Sequence, residues 1–132
     1  MVVTAATRLL LDTHAFLWWR SAPSRLGPAA RLAIAEAETV YVSMASAWEA
    51  AIKVSIGKLK LDAPFEEGVT ESGFRPLPIT FRHVDHLAAL PPFHRDPFDR
   101  MLIAQALTDG LTMVTGDRRI ANYEVALLST DA

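Results

Sequence analysis

Apolar residues along this chain fall either in short unbroken runs or at spacings of three and four. The first unbroken run, Leu9, Leu10 and Leu11 in "RLLLDT", is the pattern of a strand covered on both faces of a parallel sheet, and it stops abruptly at Asp12 and Thr13. A short helix is expected through "HAFLWWR", then a turn punctuated by Pro and Gly, "SAPSRLGP", and a helix over residues 29–38. "TVYVS" (Thr39–Ser43), β-branched and aromatic, reads as a second strand. The stretch "SMASAWEAAIKVSIGKLKL" predicts one long helix, with Trp48, Ile52, Ile56 and Leu59 at helical spacing and Gly57 weakening its last turn. "DAPFEEGVTESG" holds a short helix, and the prolines of "FRPLPIT" confine that strand to an edge. "FRHVDHLAAL" is an amphipathic helix closed by Pro91 and Pro92, and a buried helix over "DRMLIAQA" ends near Gly110. "LTMVTGD" and "YEVALLS" supply two more strands. Strand and helix alternate through short connections, which predicts an α/β fold with helices packed on a mostly parallel sheet.

Composition narrows the class. No linker or internal repeat divides the 132 residues, so a single domain over 1–132 is expected. With 51% hydrophobic and 21% charged residues, the chain has a globular balance rather than a disordered one. A formal net charge of −2 provides no general basic field for nucleic acid, although bound cations can supply local positive charge. The absence of cysteine excludes disulfides and thiolate zinc sites. Arg8, Asp12 and His14 interrupt the apolar N-terminal stretch, so neither a signal peptide nor a membrane span is expected, and the cytoplasm is the expected location.

The carboxylates stand out against this pattern. Asp12 and Asp117 each follow an apolar strand, at the edge where open α/β sheets bind ligands. Each also fits a plain structural role as a turn or cap residue. In "HRDPFDRMLIAQA", Asp96 has the place of an N-cap before Pro97, and Asp99 lies in the first turn, where the helix dipole favours an ionised carboxylate. Glu49 and Lys53 form an i, i+4 pair, yet Trp48 and alanines crowd the acid. Were Asp12, Glu49, Asp99 and Asp117 to converge, four anions would need cations among them, and an all-oxygen set suits Mg²⁺ or Mn²⁺ rather than zinc. The chemistry of such a site is metal-assisted hydrolysis of a phosphodiester.

Four blocks, "LLLDTHAFLWW", "VSMASAWEAAIKVSIGKLKL", "LPPFHRDPFDRMLIAQAL" and "MVTGDRRIANY", resemble the PIN-domain nucleases, specifically the VapC-type toxins of toxin–antitoxin pairs. The similarity runs from about Arg8 to the last strand. It implies a three-layer α/β/α fold on a five-stranded, mostly parallel sheet. It further implies an Mg²⁺- or Mn²⁺-dependent endoribonuclease that hydrolyses RNA and is neutralised by a VapB-type antitoxin, and it implies a homodimer. On this resemblance Asp12, Glu49, Asp99 and Asp117 are the catalytic metal ligands, with Thr13, Asp96 and Thr115 in support. The family often places a basic residue just before the last acid; here Gly116 stands there, and Arg118 and Arg119 follow.

Arg95, Arg100, Arg118 and Arg119 are candidates for gripping RNA phosphates. His14 and His94 are expected to be structural or solvent-facing. Adjacent Trp18 and Trp19 cannot both bury on one narrow helical stripe; core packing of one with partial exposure of the other is the plain reading, and both are candidates for a partner interface. Two other functions fit an α/β fold with clustered acids. A receiver-like phosphoacceptor domain requires a lysine after a late strand, where this chain has arginines. A non-catalytic PIN-fold binding module would have no need of the full set of acids.

Overall fold

The computed structural model describes residues 7–132; residues 1–6, the start of the N-terminal stretch discussed above, lie outside the described part. Its strands are β1 (Arg8–Leu11), β2 (Thr39–Ser43), β3 (Arg75–Leu77), β4 (Thr112–Thr115) and β5 (Leu127–Ser129). They form one sheet in the order β3-β2-β1-β4-β5, and every pairing is parallel. The helices are α1 (Thr13–Ser21), α2 (Pro28–Glu36), α3 (Met44–Ser55), α4 (Phe65–Glu71), α5 (Phe81–Ala89) and α6 (Pro97–Asp109), with short 3-10 turns at Pro23–Arg25 and Arg118–Tyr123.

The leucine run of β1 shows why the sheet is covered on both sides. Leu10 packs with Leu102, Ile103 and Met113 on one face. Leu9 and Leu11 pack with Phe16, Ile34 and Val114 on the other. Strand side chains alternate between faces, so an unbroken apolar run needs a core on each. Pro76 lies in β3, which pairs only with β2, so its missing N–H falls on a sheet edge.

The chain leaves β1 toward β2 on one side, while β4 joins β1 on the other. The carboxyl ends of β1 and β4 therefore border a switch point, where a crevice opens in doubly wound sheets. Asp12 extends the pairing there by donating its N–H to the Val114 carbonyl at 3.0 Å.

Two elements differ from the sequence reading, α3 and the last strand. The long helix stops at Ser55, because Gly57 turns left-handed at φ +75 and the Lys53 carbonyl accepts from the N–H groups of Lys58 and Leu59. The large apolar residues of α3 and its C-cap point outward: Met44, Trp48, Ile52 and, at the cap, Ile56 are 50%, 61%, 41% and 58% exposed. Its buried face is Ala45, Ser46 and Ala50, small residues that let α3 pack closely on its neighbours. The last strand is only three residues long, since Glu124 takes a left-handed φ of 57 and Tyr123 turns inward.

Candidate active site

An open groove of about 450 Å³ at the carboxyl edge is lined by Asp12, Glu49, Asp96, Asp99 and Asp117. Four different elements deliver the four expected metal ligands. Asp12 is the N-cap of α1 and its carboxylate accepts from the Ala15 N–H at 2.8 Å. Glu49 comes from α3. Asp99 is in the first turn of α6, and Asp117 follows β4 and caps the turn at Arg118–Tyr123.

Each acid has a distinct environment. Asp12 is buried, and that desolvation raises its pKa above the ordinary carboxylate value, although hydrogen bonds from Ala15 and Thr115 act the other way. Glu49 Oε1 accepts from the Thr13 hydroxyl at 2.6 Å and Oε2 from Lys53 Nζ at 3.1 Å, so the helix pair and the groove share one residue. Ser46, 3.0 Å from the Thr13 hydroxyl, closes the contact between α1 and α3.

Asp99 departs from the expectation that its helix keeps it ionised. Burial first, and then the charge of Asp96, Asp12 and Glu49, push its pKa up to about 7. Burial, with the neighbouring carboxylates added to it, outweighs the helix dipole here. Asp117 is shifted the opposite way. Arg119 grips it through Nε at 3.0 Å and Nη2 at 2.8 Å, holding its carboxyl well below the usual range.

Asp96 caps α6, its Oδ1 accepting from the N–H groups of Phe98 and Asp99 at 2.9 and 3.0 Å. Thr115 accepts from the Asp117 N–H at 3.1 Å, beneath both Asp12 and Asp117. Gly116 has a steric reason: a Cβ there would lie 2.8 Å from the buried Thr130 hydroxyl, so the basic residue common at this place does not fit.

The arginines divide. Arg95 and Arg118 are exposed beside the groove acids in sequence. Arg119 is committed to Asp117. Arg100 corrects the expectation of phosphate contact, because its guanidinium donates to the Pro91 carbonyl at 2.9 Å and lies within 3.5 Å of four further acceptors, the carbonyls of Leu87, Leu90 and His94 and the Tyr123 hydroxyl. Its polarity is used to close the loop before α6. His94 was expected to be structural or solvent-facing, and it is buried with Nε2 2.8 Å from Asp117 Oδ2 and 3.2 Å from Asp99 Oδ2. Its place two residues before Asp96 was a signal, but nothing in the sequence shows where its ring points. The two tryptophans also differ from the expected split. Both are partly buried against the core, Trp18 under Arg25 at 4.8 Å and Trp19 against Phe74 at 5.7 Å, and Trp18 rims the groove.

The chain matches the PIN domain over residues 9–126. The chain belongs to the PIN-domain family. It is 33% identical over 120 residues to Ribonuclease VapC22 of Mycobacterium tuberculosis, an alignment covering 89% of this chain and 92% of that protein. Its fold is similar to that of VapBC2 from Rickettsia felis bound to a promoter DNA fragment (TM-score 0.66, 13% identity, 93% of this chain and 98% of that one). It is also similar to DNA-bound VapBC from Salmonella typhimurium (TM-score 0.64, 16% identity, 94% and 98%). At those identities the two structures speak for the PIN fold alone.

The donor set of this PIN domain fits a hard divalent cation. Among the described residues lining the groove, Lys53 and Arg119 are the lysine and arginine that face its carboxylates, and burial together with the neighbouring acids raises the Asp99 pKa to about 7. Oxygen ligands of this kind suit Mg²⁺ or Mn²⁺.

Proposed function

We propose that this PIN domain is an Mg²⁺- or Mn²⁺-dependent endoribonuclease toxin of the VapC type, acting in the cytoplasm as a single domain over 1–132. The observation that carries the reading is the meeting of Asp12, Glu49, Asp99 and Asp117 at the switch point of the sheet. Identity to a VapC ribonuclease supports RNA as the substrate class.

In this reading the four acids hold one or two ions. When bound, such an ion makes water more acidic and neutralises charge on the leaving oxygen. The chain's own part is orientation. Thr13 and Lys53 fix the two oxygens of Glu49, and the α1 cap fixes Asp12. Asp96 holds the first turn of α6 so that Asp99 faces the groove, and Thr115 steadies the turn to Asp117. Arg95 and Arg118, both exposed and next in sequence to the groove residues Asp96 and Asp117, grip phosphates flanking the cleaved bond. Arg119 is available to RNA once a cation replaces it at Asp117.

Two protein partners complete the proposal. A VapB-type antitoxin lays an apolar segment along the open groove lined by Trp19 and Leu32 and runs past Trp18 to the acids. There an arginine matches a carboxylate with two hydrogen bonds and competes with the cation. A second copy of the chain covers the outward stripe of Met44, Trp48 and Ile52, extended by Ile56 at the C-cap, whose four-residue steps form one inclined ridge along α3 that can pair with itself about a two-fold axis. Exposed Ile79 and Phe81 follow Leu77, the strand partner of Ser43 just before α3.

Controlled expression without a partner tests the activity. Growth arrest with new RNA ends is expected, and Asp12→Asn relieves both. Arrest that survives Asp12→Asn, or arrest without new RNA ends, contradicts the reading. A non-catalytic module would leave RNA ends unchanged.

A further inference from the structure

His94 sits in the loop between α5 and α6, and that loop is anchored from two sides. The His94 N–H donates to the Tyr123 hydroxyl at 2.7 Å, and this hydroxyl donates to the Pro91 carbonyl at 2.8 Å. Arg100 binds the carbonyls of Pro91 and His94 from the helix side. The residue is 4% exposed, so the ring is buried.

The two ring nitrogens have different partners. Nδ1 is 3.1 Å from the backbone nitrogen of Asp96, a group that only donates, so Nδ1 accepts and the neutral ring carries its proton on Nε2. Nε2 faces Asp117 Oδ2 at 2.8 Å and Asp99 Oδ2 at 3.2 Å. These three ligand-type atoms lie within 4.8 Å of one another, an arrangement that by distance alone resembles a metal site. The Asp96 N–H argues otherwise. For Nε2 to bind a cation, the ring proton would have to sit on Nδ1, setting two N–H groups against each other across 3.1 Å. Relief would require moving the backbone of Asp96, whose side chain caps the helix that carries Asp99.

Resting on the cation-binding reading of the acids, we propose that His94 is a positioning residue and not a ligand. Its single Nε2–H, shared between Asp99 and Asp117, ties together two carboxylates that arrive from different elements and holds them at a fixed separation. An imidazole N–H does this without adding a full positive charge that would compete with the cation. Orientation of ligands by outer hydrogen bonds is a general requirement of metal sites.

The test is ¹⁵N-detected NMR of the histidine rings in the whole chain, with the His94 signals identified by their loss in His94→Gln. The Nε2–H tautomer is expected both without metal and with saturating Mg²⁺. A proton found on Nδ1 in either state overturns the proposal. Mn²⁺ titration adds a second reading, with melting curves to confirm folding. His94→Leu, which removes the donor, is expected to weaken Mn²⁺ binding by about tenfold or more, whereas His94→Gln, which keeps an N–H, stays within about threefold of wild type. Leucine matching wild type, or glutamine falling about tenfold, overturns it; should the leucine variant not fold, the tautomer and the glutamine variant decide. A wild-type chain that binds no Mn²⁺ defeats the cation reading itself, while the tautomer still decides whether His94 ties the two carboxylates.

Discussion

Asp96 and Asp99 are chemically identical, three residues apart, and used differently. The Asp96 carboxylate accepts two N–H groups of its own helix, work that asparagine does about as well. Asp99 accepts no backbone N–H in its first turn and stands among other acids. Asp99→Asn is therefore expected to lower RNA cleavage by orders of magnitude and Asp96→Asn only by a small factor, measured as initial rates on one labelled RNA. Equal losses would show that the two roles are not separate. Asp99 also gives the metal-free chain a pH signature. Its folded pKa of about 7 lies above the ordinary 3.8, so the folded state binds this proton more tightly than the unfolded state. The stabilisation is complete below about pH 4 and is lost as pH rises through about 7. Melting temperatures in EDTA are expected to fall across this window, less so in Asp99→Asn. An equal fall in that variant would place the titrating group elsewhere.

At the scale of elements, the leucine run of β1, the proline-marked edge strand and the cap of α6 were all legible, because each follows from local covalent geometry or alternation. Helix α3 was legible as a helix but not in its orientation. Periodicity reports that large apolar residues share a face, and it does not say whether that face meets the core or another molecule. Here Ala45, Ser46 and Ala50 meet the core, and the larger residues are left outside. A charge placed on the outward stripe tests its use. Ile52→Glu is expected to convert a dimer to a monomer in sedimentation while changing stability by only about 0.5 kcal/mol. A wild-type chain that sediments as a monomer, or a variant that remains dimeric, removes α3 from the interface.

The whole molecule brings the acids together by topology rather than by sequence proximity. Asp12 and Asp117 are far apart in the chain, and they meet because β1 and β4 are neighbours in a parallel sheet. Their position after apolar strands was readable, and the resemblance named the full set of four acids. What could not be read was how each is occupied: Arg119 on Asp117, His94 between Asp117 and Asp99, and Arg100 turned away into the loop. Those depend on side-chain directions that only packing decides. The central claim, that these carboxylates hold the cation with which the protein cuts RNA, is tested most directly by the cleavage rate of a labelled RNA in EDTA followed by Mn²⁺ titration, with wild-type and Asp12→Asn proteins side by side. The account predicts no cleavage in EDTA, a saturable rise with Mn²⁺ for the wild type, and a rise lower by orders of magnitude for the variant. Cleavage that persists in EDTA, or equal Mn²⁺ curves for the two proteins, would contradict it.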